Sequence, residues 1–543
     1  MLPAHASAAV TMTDFKVEPA SKQGGGHPNV TITQTFSYDN TTDSVNDAFV
    51  RLQPGLLGNP QSAAFCSQAQ FTSDTCPADS TVGSVEVGAK AYIVPLVPVT
   101  LTNSGVVYNL RPTGDEPARV GIVVEAAGGL SKIFLQAPVY IRPGADGYGL
   151  ESTFADQPRD SDGIPIQITS VALTFNGQAS KGKFMRMPTS CAEGTSLSRA
   201  NSWEAPEVFS QRTFAMTPTN CGSLAFNPRA EGFMGAPGIT SRGGFPPVAT
   251  TLQFDPEEAA LSRAEVTLPS ALSPNLAAVS RACTRAQADA SACPESSRVG
   301  TAIIDSPLQP RPVRGPVYIA FNTDATLPGL VVILPAPVGV RLDGAIEIGA
   351  TGIKNTFAGN PDLPVRSFTL ALDSGEANGA LSLNRDLCDD GTDRTMSVTL
   401  VAHNGKTASF EQELATPGCA PVATVSIRRK GLRATLVARL KAARAGPGIT
   451  SFGLRLPKTL SRGKARPFVL AEGQSARPRA RPRLVAMPFS REVRTATVAW
   501  RGLRARRALR RFAVVRLTMT DARGHTTALT KRVRVSGKLP KRR

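Results

Sequence analysis

The sequence predicts an all-β protein with tandem, disulfide-stapled, β-sandwich-like units followed by a strongly basic Ig-like domain. Three observations predict this fold class. Short alternating runs of β-branched residues recur along the chain, a long segment occurs twice, and eight cysteines follow the same repeat. Glycine and proline supply 47 and 43 of the 543 residues, which is typical of many turns between short strands. Hydrophobic residues make up 41% of the chain, so each unit can bury a core.

The chain begins with a pattern of small residues. Ala4-His5-Ala6 and Ala6-Ser7-Ala8 both fit the motif that precedes a signal-peptidase cut, but the basic and apolar segments that should come before it are missing. We therefore expect residues 1–9 to be the remnant of a signal-peptide cleavage region, with the true start upstream of Met1. The alternative is a cytoplasmic protein with an alanine-rich N-terminus.

Two long units follow, residues 10–228 and residues 229–421. Residues 30–36 recur as residues 248–254, at an offset of 218, and Cys76-Pro77 recurs as Cys293-Pro294 at an offset of 217. The offset drifts slightly along the chain, as loop insertions and deletions would make it. Two copies of this length are too few and too long for a solenoid, so the pattern indicates tandem domains.

The cysteine spacing obeys the repeat. Eight cysteines allow 105 pairings, but duplication favours four local disulfides, because spacings of ten and of about thirty residues occur in both units. The rival explanation, zinc, requires closely spaced cysteines or adjacent histidines, and no histidine neighbours a cysteine. Disulfides would place the protein outside the cytosol. The predicted pairs are Cys66–Cys76, Cys191–Cys221, Cys283–Cys293 and Cys388–Cys419.

Strand patterns run through the whole chain. Alternating or β-branched runs predict strands over residues 30–36, 118–124, 166–175 and 368–372. Near the C-terminus, residues 515–519 alternate, residues 521–524 supply a turn, and Val533 and Val535 fit a returning strand, which indicates a hairpin. Short helices could begin at Ser262 and over residues 286–290 inside loops.

The order of several motifs resembles that of a family of large exported proteins of high-GC actinobacteria. The likeness covers roughly residues 15–420 and implies a secreted, repetitive, β-rich protein, with no activity to carry over. The second unit departs from the pattern, because Asp386-Leu387-Cys388 stands in place of the Pro-Thr-Ser-Cys form. The motifs are Gly26-His27-Pro28, Leu52-x-Pro54-Gly55-Leu56-x-Gly58-Asn59-Pro60, Cys66 followed by Cys76-Pro77-Ala78-Asp79-Ser80-x-Val82-Gly83, Val107-Tyr108-Asn109-Leu110, Pro188-Thr189-Ser190-Cys191, Trp203, Asn227-Pro228 and Asn360-Pro361-x-Leu363-Pro364.

The last segment, residues 422–543, is intensely cationic. Residues 424–543 hold 33 Lys or Arg against three acidic residues, whereas the rest of the chain has a net charge of −11. This asymmetry favours attachment to anionic wall or membrane-surface polymers, although arginine loaded onto a solvated surface would give the same composition. Aromatic residues for stacking bases are sparse, so we expect no specific nucleic acid as partner. The predicted polyanion-binding residues are Arg504, Arg506, Arg507, Arg510 and Arg511.

Motifs for catalysis are mostly absent. There is no G-x-S-x-G, no H-E-x-x-H and no G-x-G-x-x-G opening a helix, so we predict no catalytic site and no cofactor. Residues 177–184 imitate a phosphate loop, but Phe184 stands where a hydroxyl is needed, and a hairpin turn is favoured. Residues 456–460 imitate a sortase signal, yet no membrane-length apolar run follows, so a strand-to-turn element is favoured.

Acidic residues offer two further readings. Two acidic turns, with Asp160 and Asp162 in one and Asp389, Asp390 and Asp393 in the other, are candidates for structural calcium, but neither has EF-hand spacing. A glycosidase needs two facing carboxylates, and nothing in the sequence brings together candidates such as Glu193 and Glu204.

We therefore expect a non-enzymatic, secreted or envelope-associated protein at the cell surface, attached by its basic domain. Trp203 and Trp500 are expected in or beside cores, and no apolar run reaches membrane-spanning length. The first alternative is an extracellular glycan- or protein-binding module, which an aromatic-lined pocket would support. The second is an unrecognised extracellular hydrolase, which converging carboxylates or a Ser–His contact would support.

Overall fold

The structure is a computed structural model that describes residues 10–538, except 95–96, 127–130, 145–146, 162, 322–326, 390, 444–445, 473, 477, 507–508, 510, 523 and 525. The predicted cleavage remnant, residues 1–9, lies outside the described residues. Within the described part, every helix is too short to cross a membrane. The α-helices are α1 (Gln68–Thr72), α2 (Leu276–Val279) and α3 (Arg285–Asp289), and 3-10 turns span Pro60–Ser62, Ala78–Ser80, Cys221–Ser223, Glu295–Ser297 and Pro417–Cys419.

The first unit is built on one long antiparallel sheet. Its strand order is β1-β2-β11-β5-β6-β7-β8-β9-β3-β15-β16, with β10 paired to β11. The sheet curls until its ends approach each other, and the Met12 backbone N–H of β1 donates to Ser210 Oγ of β16. The strands are β1 (Val10–Pro19), β2 (Val30–Tyr38), β3 (Val45–Arg51), β4 (Leu57–Gly58), β5 (Thr81–Val94), β6 (Val97–Leu110), β7 (Ala118–Ala126), β8 (Ser131–Gly144), β9 (Gly147–Phe154), β10 (Asp160–Ser161), β11 (Ile164–Phe175), β12 (Gln178–Ala179), β13 (Gly182–Lys183), β14 (Met185–Arg186), β15 (Gly194–Ser202) and β16 (Ser210–Met216).

The second unit repeats this plan. Its sheet runs β17-β18-β26-β21-β22-β23-β24-β25-β19-β28-β29. The ends again approach each other: the N–H of Met234, the last residue of β17, donates to the carbonyl of Ala415, just after β29, at 2.9 Å. The strands are β17 (Arg229–Met234), β18 (Val248–Gln253), β19 (Leu261–Leu268), β20 (Leu272–Pro274), β21 (Arg298–Asp305), β22 (Val313–Ala320), β23 (Gly329–Leu334), β24 (Val340–Gly349), β25 (Gly352–Phe357), β26 (Ser367–Leu372), β27 (Leu381–Leu383), β28 (Thr395–Ala402) and β29 (Thr407–Glu413).

The C-terminal unit packs two layers of strands around its own core. One layer contains β34, β38, β31 and β30, the other contains β39, β32 and β37, and β40 pairs with both β30 and β39. Leu436 and Ala438 of one layer share the core with Leu454 and Leu517 of the other. The strands are β30 (Val422–Lys430), β31 (Arg433–Lys441), β32 (Ile449–Arg455), β33 (Leu460–Ser461), β34 (Pro467–Ala471), β35 (Gln474–Ala476), β36 (Arg479–Ala480), β37 (Leu484–Val493), β38 (Thr495–Ala505), β39 (Phe512–Asp521) and β40 (Thr526–Lys538).

The predicted all-β class, with disulfide-stapled units, is confirmed. The predicted runs lie within β2, β7, β11 and β26, and the C-terminal hairpin is β39–β40. Residues 286–290 contribute to α3, as expected. The helix expected at Ser262 is wrong, because Ser262 lies in β19, which pairs with both β25 and β28, and its carbonyl accepts the Asn360 N–H. The hydrogen bonds that a strand makes with partners on both sides stabilise it more than a single N-cap residue stabilises a short, exposed helix.

The first two units share packing. Leu57 and Ile141 of the first unit belong to the core cluster of the second, and the Tyr148 hydroxyl lies 3.1 Å from the Arg341 backbone nitrogen. The core of the C-terminal unit forms a separate cluster. Buried apolar contact therefore couples the two repeats to each other.

Candidate functional site

The four disulfides join the pairs favoured by the repeat. In the first unit, Cys66 precedes α1, whose start is fixed by a capping box between Ser67 and Gln70. The second unit repeats this device, with Thr284 and Gln287 capping α3 after Cys283. The first bridge of each unit thus fastens a one-turn helix to the sheet.

The longer bridge of the first unit lies against the second. Cys221 begins a short 3-10 turn, and its carbonyl accepts the Asn404 Nδ2–H at 3.1 Å. The same amide donates to the carbonyl of Leu224 at 3.2 Å. Asn404 follows β28 of the second unit, so this disulfide turn is part of the contact between the repeats.

A buried carboxylate connects the two repeats. Asp362 of the second unit accepts hydrogen bonds from the Thr189 N–H at 2.7 Å, the Thr189 hydroxyl at 2.8 Å and the Ser190 N–H at 3.3 Å. Gly55 lies beside it with φ of +81°, and a Cβ at this glycine would come within 2.7 Å of the carboxylate. Three motifs quoted above, around Gly55, Thr189 and Asp362, therefore meet at one point.

A cationic cleft of about 280 Å³ lies next to this contact. The Arg186 side chain lines the cleft and is 6% exposed; its Nη2–H donates to the Glu258 carbonyl at 2.8 Å, while Nε and Nη1 have no hydrogen-bond partner among the described residues. Burial lowers the pKa of the Arg186 guanidinium. A buried cation with unpaired N–H groups lowers the free energy of unfolding, so Arg186 destabilises the contact between the repeats. The other basic residues that line the cleft are His27, Lys181, Lys183 and Arg366.

Glu257 is the acidic partner in this cleft. Its carboxylate binds the Lys183 ammonium and lies 3.1 Å from His27 Nε2, while His27 Nδ1 lies 2.7 Å from the Met185 carbonyl oxygen. Burial raises the pKa of Glu257, but the hydrogen bonds from Lys183 and His27 outweigh burial and hold that pKa below its ordinary value. Glu257 is therefore a carboxylate at neutral pH and links the repeats.

Each curled sheet encloses an apolar cavity. The volumes are about 200 Å³ in the first unit and about 250 Å³ in the second. The described polar residues in the lining of the larger cavity are Thr250, Asp255, Glu258, Asn355 and Asn360.

The rim of the larger cavity exposes apolar side chains. Leu276, Ile348 and Leu327 line the cavity and are 79%, 54% and 39% exposed. The opposite end of the cavity, around Glu258 and Asn360, faces the first unit, where Arg186 contacts the Glu258 carbonyl. The cavity is therefore closed at the contact between the repeats and open at the rim.

Basic side chains align across three strands of the C-terminal unit. Lys430 of β30 lies opposite Arg433 of β31, and Arg433 lies opposite Arg504 of β38. All three side chains are exposed, and these strands contain no acidic residue. We call these three residues the basic row. Like charges placed directly opposite on neighbouring strands are destabilising unless an anion lies near them.

The predicted polyanion-binding arginines are only partly described. Arg504 belongs to the basic row, and Arg506 and Arg511 are exposed beside the same strand end. Arg507 and Arg510 lie outside the described residues. Two of the three acidic residues of this unit are held by backbone N–H groups, Glu492 by Gly448 and Glu472 by Arg494.

The acidic turns considered for calcium have other contacts. Asp160 accepts the Gly163 N–H at 3.4 Å, and Asp162 and Asp390 lie outside the described residues. Asp393 accepts hydrogen bonds from Ser270 and Thr395. Among the described residues, no group of three or more His, Cys, Asp or Glu side chains is arranged to hold a metal.

The remaining motifs have structural positions. The hairpin turn predicted in place of a phosphate loop is the β12–β13 pair, and residues 456–460 join β32 to β33. Trp500 is fully buried and Trp203 is half-buried. Glu204 accepts hydrogen bonds from Asn40 and Thr42, which fixes a loop of the first unit.

Sequence reasoning did not single out Asp362, Arg186 or the rim leucines. A signal existed for Asp362, which occupies the variable position of Asn360-Pro361-x-Leu363-Pro364. An acidic residue inside an otherwise apolar and proline-rich motif needs buried donors, and this was the available clue. No local pattern marks Leu276 or Ile348, because their role depends on where the sheet curls.

Comparison with known proteins does not place this chain in a family. No family model and no curated protein matches it. Among solved structures, it is similar to the collagen adhesin of S. aureus, with 7% identity, a TM-score of 0.17, and 57% of this chain and 92% of that one covered. It is also similar to the major pilin subunit of Bacillus cereus, with 11% identity, a TM-score of 0.18, and 74% and 93% covered. A third match, dimeric latent PorU from Porphyromonas gingivalis, has 11% identity and a TM-score of 0.14; 97% of this chain is covered, but it spans only 34% of PorU. At these TM-scores the likenesses say nothing about what this chain does.

Proposed function

We propose that this chain is a non-enzymatic protein of the extracellular side of the cell envelope, held there by its C-terminal unit on anionic polymers. The observation that carries the proposal is the basic row of Lys430, Arg433 and Arg504. Three exposed cations on adjacent strands present a linear array, which suits the repeating phosphates or carboxylates of a polymer. The four disulfides support an oxidising, extracellular location.

The second face of the C-terminal unit supports the same reading. Arg455 of β32 lies opposite Arg516 of β39, and both are exposed. On the neighbouring strand, the Arg532 guanidinium stacks over the exposed Phe512 ring at 4.4 Å. Cationic groups on both faces allow a flexible polymer to wrap the unit.

A salt series tests the proposal on the full chain. The probe is polyglycerol phosphate, with neutral pullulan as the control polymer. Six or more neutralised phosphates would weaken binding to duplex DNA by about a thousandfold between 50 and 200 mM salt, and we expect a shallower fall on a flexible polymer of lower charge density. Binding that is indifferent to salt would contradict attachment by charge.

Charge-matched variants separate the basic row from net charge. The triple variant Lys430→Gln, Arg433→Gln, Arg504→Gln should weaken binding at least tenfold. The control removes three exposed arginines from the repeats, and it should change affinity less than twofold. Equal loss in both variants would mean that the row has no special role. The control substitutions are Arg212→Gln, Arg229→Gln and Arg242→Gln.

A further inference from the structure

We infer that the cavity of the second unit binds one unbranched acyl chain, which enters past the rim formed by Leu276, Leu327 and Ile348. This is a ligand site separate from the polymer-binding surface proposed above. The inference rests on three observations: the chemistry of the lining, the exposed apolar rim and the position of the charged lining residues.

The lining selects an apolar ligand. Strands β18, β19 and β21 to β26 contribute mainly Val, Leu, Ile and Phe to a space of about 250 Å³. An engineered apolar cavity of about 150 Å³ in another protein stays dry and binds benzene, so a larger one accepts a longer hydrocarbon. Water would find few hydrogen-bond partners here.

The rim supplies the entrance. Leu276 begins α2, and Ile348 lies in the part of β24 that extends beyond its pairing with β23, since Gly344 is the partner of Leu330 near the start of β23. Leu327 precedes β23 by two residues. Three exposed apolar side chains at the mouth of an apolar cavity are the kind of patch that marks a binding site.

The charged lining residues set the direction of the ligand. Asp255 and Glu258 lie at the end that faces the first unit, where the Glu258 carboxylate accepts hydrogen bonds from Asn227. Arg186 at this end already donates to the Glu258 carbonyl, and a ligand carboxylate placed beside two other carboxylates would also lose its contact with water. The acyl chain therefore enters first, and its head group stays at the rim.

The cavity of the first unit is not equivalent. Leu308 and Gln309 of the second unit form part of its lining, and so do Arg119 and Glu151. Residues of the second unit therefore cover part of the first cavity, whereas the charged residues of the second cavity lie at its closed end, away from the rim. We therefore expect one bound chain per molecule.

Fluorescence titration of the full chain tests the inference. Protein stripped of lipid on a hydrophobic resin is titrated with cis-parinaric acid, which is then displaced with palmitic acid. We expect one equivalent to bind, with an affinity that changes less than twofold between 50 and 200 mM salt. Binding that disappears at the higher salt would place the fatty acid on the basic C-terminal unit and would overturn the cavity site.

Rim variants identify the site. The double variant Leu276→Glu, Ile348→Glu should weaken binding at least tenfold and leave urea unfolding unchanged, because both side chains are exposed. The matched control, Leu432→Glu with Leu470→Glu, alters two exposed leucines of the C-terminal unit and should bind like the parent chain. If the stripped chain takes up no cis-parinaric acid, or if the rim variant binds as tightly as the control, the inference is wrong.

Discussion

Removal of the Asp362 carboxylate should uncouple the two repeats. The Asp362→Ala substitution leaves the buried N–H and hydroxyl of Thr189 without their acceptor and also removes the acceptor of the Ser190 N–H. Each buried donor that is left without an acceptor lowers the free energy of unfolding by about 1–3 kcal/mol, and breaking a buried charged contact typically lowers it by about 3–5 kcal/mol. We therefore expect the free energy of unfolding to fall by about 3–5 kcal/mol. The Asp362→Asn variant keeps one acceptor oxygen and should lose about 2–3 kcal/mol.

The assay uses the two tryptophans of the chain. In a Trp500→Phe background, Trp203 is the only tryptophan and lies in the first unit, whereas Asp362 lies in the second. Urea unfolding followed by Trp203 fluorescence should shift to lower urea in the Asp362→Ala variant, which shows that damage in one repeat is felt in the other. Thr189→Val should not add its full cost to Asp362→Ala, because contacting residues are coupled by about 0.5–3 kcal/mol.

Asp393→Ala provides the control. Asp393 also accepts hydrogen bonds from three donors, on Ser270 and Thr395, but these lie within the second unit and are closer to solvent. This variant should lose only about 1 kcal/mol and leave the Trp203 transition in place. The reasoning is refuted if Asp362→Ala loses less than about 1 kcal/mol, or if Trp203 reports no change.

Three further predictions concern stability. Burial raises the pKa of Glu116, but hydrogen bonds led by those from Arg119 outweigh burial and lower that pKa below its ordinary value. The stabilising effect of the Glu116 carboxylate is therefore complete above a pH of about 4.3 and is lost as pH falls further. The difference in unfolding free energy between the parent and Glu116→Gln should shrink in an acid titration, and a constant difference would contradict this. Replacing Cys191 and Cys221 by Ser opens a 30-residue loop and should cost about 3.6 kcal/mol in urea unfolding. Trp500→Ala should cost about 3–5 kcal/mol and lower only the calorimetric transition of the C-terminal unit, because its side chain is fully buried in a separate core.

The strands could be predicted because their signal is local. A period of two in the sequence places alternate side chains on one face of a sheet, and β2 follows that pattern from Val30 to Phe36, whereas β11 departs from it at the bulge between Ile168 and Ser170. The disulfide pairs could be predicted because the same two cysteine spacings occur in both repeats, which favours one pairing among the 105. The helix at Ser262 failed for the converse reason, since its strand owes its stability to neighbours that are distant in sequence.

The sites could not be predicted because they depend on register and on curl. The density of arginine along residues 501–511 drew attention to one segment, but the basic row combines Arg504 with Lys430 and Arg433, more than seventy residues away. Likewise, Asp362 meets Thr189 across a separation of 173 residues. Neither contact can be recognised from a residue spacing in the sequence, because the separation of the contacting residues depends on the order of the strands in the fold.

The contact at Asp362 also explains why the two repeats differ before their third cysteine. In the first unit, Thr189 and Ser190 donate outward, to a carboxylate of the second unit. In the second unit, the matching residues turn inward: Asp386 accepts the Arg242 N–H at 2.7 Å, and Leu387 is fully buried. In the first unit, this segment contacts the second unit and needs polar donors for the Asp362 carboxylate. In the second unit, the described residues of the matching segment contact their own unit. The departure from the Pro-Thr-Ser-Cys form is thus the consequence of an asymmetric contact between two similar folds, and it implies that exchanging these segments between the repeats would destabilise both.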